Sequence, residues 1–162
     1  NAEDRQPPAR GDPLPDRAEV DFLLGVEVWW RIHAGDSTAA HSHCVCIPSW
    51  SPVCGDELAV FNQALPMLRK TGATVLGISV DSTWCHQAFR EARHIHFDLL
   101  ADFEPKGAVA RQYGAYDAEN GICKRALFVI DKAGTIAWSH LSPLAVNPGV
   151  DGVLDALEGL GR

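Results

Sequence analysis

Long apolar runs are missing from this 162-residue sequence. The longest, Ala126 to Ile130, falls far short of the roughly 18 residues a membrane-spanning helix needs. Basic residues are scarce: 14 Lys and Arg against 21 Asp and Glu leave a net charge of −7. That balance argues against nucleic acid and against an anionic membrane surface as partners. No basic stretch followed by an apolar core stands near the N-terminus, so no secretory signal is visible. Cys-x-x-Cys is absent, which excludes a thioredoxin-type dithiol site. Glycine-rich phosphate loops of the two common types are absent as well, and no internal repeat is found.

Cysteine is present but in a pattern that rules things out. Cys44, Cys46, Cys54, Cys85 and Cys123 are odd in number and irregular in spacing. Without a secretory signal this speaks against a disulfide scaffold and for a reducing, cytoplasmic setting with one or two functional thiols. His41, His43, Cys44 and Cys46 are all metal-ligand types, but their spacing fits no standard zinc pattern.

Hydrophobic content of 46% with 22% charged residues is ordinary for one globular domain with a real core. Residues 1 to about 18 hold Pro7, Pro8, Pro13 and Pro15 among charges, and read as an extended or disordered lead-in. Part of 19–33 reads as strand. Residues 1–47 together form an atypical N-terminal segment. From there the pattern is clear. Leu58, Phe61, Leu65 and Leu68 mark a helix over about 54–71, stopped by Gly72 and kinked at Pro66. Thr74–Val80 reads as a buried strand, and Asp81 or Ser82 caps a helix over 83–93. A short strand follows at 96–100. Pro105 is placed to open a helix running to Tyr113. Asn120-Gly121 makes a turn. Ala126–Ile130 and Thr135–His140 form a hairpin through Gly134, and Val150, Val153, Leu154, Leu157 and Leu160 define a last helix. This order predicts an α/β sheet with helices on both faces. Such a sheet wants one more central strand just before Cys54, where 39–47 is a poor strand by composition. Trp50, Trp84 and Trp138 read as core or pocket walls.

The most informative stretch is Ser51-Pro52-Val53-Cys54-Gly55-Asp56-Glu57-Leu58. Cys54 falls in the first turn of a helix, facing unpaired backbone N–H groups and the positive end of the helix dipole. Both favour the thiolate, the nucleophilic form.

This stretch resembles the active-site signature of the peroxiredoxins, the alkyl hydroperoxide reductase and thiol-specific antioxidant family: Pro-x-x-x-Thr/Ser-x-x-Cys with an acidic residue three positions on. Gly77–Ser82, Leu99–Asp102 with Tyr113-Gly114, and Arg125–Asp131 resemble three further family blocks in the right order. The likeness covers about residues 48–160. One departure stands out: the signature proline position is Ile47, and Pro48 lies one residue too close to the cysteine.

The resemblance implies a thioredoxin-like fold over 48–162, with a central mixed sheet flanked by helices. It implies a thiol peroxidase that reduces hydrogen peroxide or small alkyl hydroperoxides through a sulfenic acid at Cys54. Arg125 would stabilise the thiolate and polarise the peroxide, Ser51 would hydrogen-bond both, Glu57 would hold Arg125, and Pro48 would cover the sulfur. No cofactor or metal is needed. The reductant would be an external thiol such as a thioredoxin-like protein, and the assembly a homodimer. Cys85 is either a resolving thiol or a core residue packed with Phe89 and Ala92; Cys123, two residues from Arg125, is a further candidate. The competing reading is a catalytically inactive thioredoxin-fold module for redox sensing or interaction. Metal storage at 41–46 is a third.

Overall fold

The computed structural model describes residues 41–46 by their backbone course, and residues 51–132 and 134–161. The elements in order are β1 (His41–Cys46), α1 (Pro52–Lys70), β2 (Ala73–Ser79), α2 (Thr83–Arg93), β3 (Asp98–Ala101), α3 (Ala108–Gln112), β4 (Tyr116–Asp117), β5 (Ile122–Cys123), β6 (Arg125–Ile130), β7 (Ile136–Ser142) and α4 (Asp151–Leu160). Five strands form one sheet in the order β3-β2-β1-β6-β7, and β4 and β5 form a separate small hairpin. β1 runs parallel to β2 and antiparallel to β6, so the sheet is mixed.

The segment expected to make a poor strand is therefore the middle one. β1 is bonded on both sides, from His41 opposite Ala73 to Cys46 opposite Ala126. Backbone pairing with two neighbours overrides weak composition, because strand preference is mostly a matter of surroundings. β1 also lies upstream of the boundary expected at residue 48. Residues 1–40, Pro48 and Trp50, for which the sequence carries expectations, lie outside the described residues.

The sheet is covered on both faces. Val75 of β2 and Leu127 and Val129 of β6 join Leu58, Phe61, Leu65 and Leu68 of α1 and Val153 and Leu157 of α4 in one buried cluster. Leu76, Ile78, Ala126, Phe128 and Ile130 point the other way, to Val109, Ala110 and Tyr113. Successive strand residues alternate faces, and each face meets helix, so both strands read as continuous apolar runs. Gly77 pairs with Leu99 of β3. A β-carbon at residue 77 would stand 2.5 Å from a Leu99 methyl, so the absent side chain gives Leu99 its space.

One local expectation shifts. α3 begins at Ala108, not at Pro105. Its start is set by Asp102, buried at 1% exposure, whose carboxylate oxygens accept the Val109 and Ala110 N–H groups at 3.1 and 2.8 Å. Gly107, at φ 67, supplies the left-handed turn that enters the helix. Burial pushes the Asp102 carboxyl pKa upward, against the pull of these N–H bonds. α1 has Pro66 inside it, as expected, on its exposed side. The other ends agree with the caps read from sequence: Ser82 caps α2, and Gly72, Gly114, Gly121 and Gly134 all take positive φ.

Candidate active site

β1 and β6 are antiparallel with Cys46 opposite Ala126. Arg125, the first residue of β6, is therefore delivered to the end of the sheet where the chain leaves β1 for α1. The N-terminus of α1 meets it there. Ser51 is the N-cap, in extended conformation at φ −77 and ψ 150. Its hydroxyl oxygen accepts the Cys54 N–H at 3.2 Å, and its carbonyl accepts the Gly55 N–H at 3.1 Å. The same Oγ lies 2.7 Å from Cys54 Sγ. One serine thus caps the helix and touches the sulfur.

The guanidinium of Arg125 closes the other side. Nη2 donates to Cys54 Sγ at 3.3 Å, and Nη1 donates to Glu57 Oε2. Nε and Nη2 both donate to the carbonyl of Leu144, at 3.2 and 2.9 Å. Cys54 is 1% exposed, and Glu57 and Arg125 are fully buried. Glu57 sits three residues after Cys54, one turn along α1, so helical spacing alone aims both at the same cation. Within the described residues Glu57 Oε1 has no partner. Charges taken out of water are tolerable only when paired and hydrogen-bonded, and here the arginine is the counter-ion.

A cavity of about 580 Å³ opens beside Ser51. Val80, Cys85, Phe103, Ile122 and Leu144 share its wall. Cys85 is exposed, which overturns the reading that packs it into the core with Phe89 and Ala92. Its backbone N–H bonds the N-cap Ser82 hydroxyl at 3.3 Å. Cys123 is fully buried in the cluster beneath α3. Trp84 is 80% exposed and so is no core residue, while Trp138 is half-buried and stacks on His140. Among the described residues no group of three or more His, Cys, Asp and Glu is arranged to hold a metal ion. His41, His43, Cys44 and Cys46, whose spacing fits no standard zinc pattern, fall where only backbone is described.

The arrangement unites Cys54, Ser51, Glu57 and Arg125. Pro48 lies outside the described residues. The carbonyl of Leu144 went unseen in the sequence, because a backbone acceptor leaves no mark on residue type. What the four side chains and that carbonyl offer is a shielded sulfur with a hydroxyl and a fixed cation beside it.

The AhpC/TSA family profile matches residues 44–139, from β1 into β7. The chain belongs to the AhpC/TSA family. Among similar curated proteins, alkyl hydroperoxide reductase E of Mycobacterium tuberculosis is 31% identical over 93 residues, covering 57% of this chain and 61% of its own. Peroxiredoxin-1 of Gekko japonicus is 33% identical over 109 residues, covering 63% and 54%. The chain thus spans less than two thirds of these curated relatives. Solved structures share the thioredoxin-like fold. A reduced 2-Cys peroxiredoxin of Plasmodium vivax superposes with a TM-score of 0.72 at 22% identity, over 81% of this chain and 68% of its own. AhpC of Enterococcus faecalis gives 0.71 at 25% identity, over 80% and 84%. No helix among the described residues of this AhpC/TSA chain is long and apolar enough to cross a membrane.

Proposed function

We propose that this AhpC/TSA chain is a thiol peroxidase acting on hydrogen peroxide or small alkyl hydroperoxides. The observation that carries the proposal is the double hold on one buried sulfur: Ser51 Oγ at 2.7 Å and Arg125 Nη2 at 3.3 Å from Cys54 Sγ. The Cys54 thiolate attacks one peroxide oxygen. The O–O bond breaks, the second oxygen leaves with the electron pair, and one proton turns it into water or an alcohol. Cys54 becomes a sulfenic acid. Donors fixed in advance stabilise the charge that moves onto oxygen, usually the largest catalytic contribution. Arginine suits this because it stays charged and donates in a fixed plane, while Glu57 keeps it oriented.

Cys85 is the resolving thiol in this proposal. It lines the same cavity as Ser51, and its thiol condenses with the Cys54 sulfenic acid, releasing water and leaving a disulfide. An external dithiol, of the kind a thioredoxin-like protein carries, returns both cysteines to thiols. The chain works as a homodimer in the cytoplasm. Stopped-flow peroxide consumption tests the core of this reading. A fast reaction that disappears in Cys54→Ser supports it. A rate no better than free cysteine sinks it and leaves a non-catalytic redox-sensing module.

A further inference from the structure

The third hold on Arg125 comes from outside α1, and one side chain secures it. Leu144 O takes two guanidinium N–H groups and belongs to a tight turn just after β7. Two bonds close the turn. Val146 N–H donates to Pro143 O at 2.9 Å, and Ser142 Oγ donates to Val146 O at 3.0 Å. Burial does little to hold it, since Leu144 and Val146 are 40% and 49% exposed. Ser142, by contrast, is only 6% exposed and pairs with Arg125 itself across the β6–β7 ladder. The strand residue opposite the arginine therefore pins the loop whose carbonyl orients the arginine. We propose that Ser142 is a positioning residue: its hydroxyl fixes the Pro143–Val146 turn, and through Leu144 O it fixes the guanidinium on Cys54. This rests on the reading of Cys54 and Arg125 as the reactive pair.

The test compares Ser142→Ala and Ser142→Thr with the unaltered chain. Peptide-resolved alkylation of Cys54 by iodoacetamide across pH reports the ionisation of that sulfur without any peroxide. Peroxide consumption is measured in parallel. A lost hydrogen bond of ordinary strength predicts a peroxide rate lower by about 3- to 10-fold in Ser142→Ala, with the alkylation midpoint moved to higher pH. Ser142→Thr keeps a hydroxyl and restores both. A purely structural serine would leave the midpoint in place, so an unmoved midpoint in folded Ser142→Ala overturns the proposal. If Ser142→Ala does not fold, Ser142→Cys, a weaker donor, takes its place: a midpoint above that of the unaltered chain supports the proposal, and one equal to it overturns the proposal. Should the unaltered chain consume peroxide no faster than free cysteine, the peroxidase reading fails while the alkylation series still decides the role of Ser142.

Discussion

Cys54 and Cys85 occupy the same position on two different helices. Each follows a serine N-cap by three residues, and each donates its N–H to that serine's hydroxyl, at 3.2 and 3.3 Å. They differ in setting: Cys54 is 1% exposed and bonded to Arg125, while Cys85 is exposed on the cavity wall. A buried sulfur with a cation and an open sulfur at the mouth suit a first and a second step of one reaction.

One equivalent of peroxide should convert the reduced chain into a form two hydrogens lighter, with Cys54 joined to Cys85. In Cys85→Ser the sulfenic acid should persist and be trapped by dimedone on the peptide carrying Cys54. Persistent sulfenic acid in the unaltered chain would remove Cys85 from the mechanism.

Arg125→Lys should lower the peroxide rate by about 100- to 1,000-fold, the loss typical for one prepositioned donor to a developing charge. Lysine keeps the charge but has one ammonium group to serve Cys54, Glu57 and Leu144 O at once. A rate within a factor of about three, below what such a donor is typically worth, would show that charge alone suffices.

Glu57→Ala should destabilise the fold by about 3–5 kcal/mol, because it removes the carboxylate partner of the buried Arg125 charge. Urea unfolding measures this. Glu57→Gln, which keeps an acceptor for Arg125 Nη1, should cost less, and equal costs would argue that lost packing rather than charge is responsible.

His86 makes stability depend on pH. Its Nε2 lies 2.6 Å from Ser79 Oγ, and burial lowers its pKa against the opposing pull of Asp81. The folded chain thus binds fewer protons here than the unfolded chain, whose histidine titrates near about 6.5. The contribution is fully present above that value and is lost as pH falls through the lowered folded pKa. His86→Gln should flatten the acid side of a stability-against-pH curve, and an unchanged slope would place the acid sensitivity elsewhere.

Gly107→Ala should cost at least about 1–2 kcal/mol for the left-handed backbone alone. A β-carbon there would also stand 2.2 Å from the Tyr116 ring. Thermal melting should show the loss, and a wild-type midpoint would mean that the turn can refold around the new methyl.

Much of this was legible because it is local. N-caps, C-cap glycines and helical periodicity depend on neighbours a few residues away, so α1, α2, α4 and the β6–β7 hairpin follow from the order of residues. The Ser51 to Leu58 stretch likewise exposes its own chemistry, since three-residue spacing places Ser51, Cys54 and Glu57 together at a helix start. The start of α3 was misread because its capping group, Asp102, lies outside the helix and reaches it only through a folded turn.

The sequence by itself determined the cysteine at the helix start, its capping serine and the acid one turn on, all through short-range interactions along one helix. Tertiary structure decided the rest. A strand of poor composition became the centre of the sheet because β2 and β6 bond it on both sides. Arg125 reached Cys54 only once β6 lay beside β1, and it took its orientation from a carbonyl at Leu144 that no side chain announces. Backbone acceptors and non-local pairing carry no signature in residue type, so folding alone assembles them.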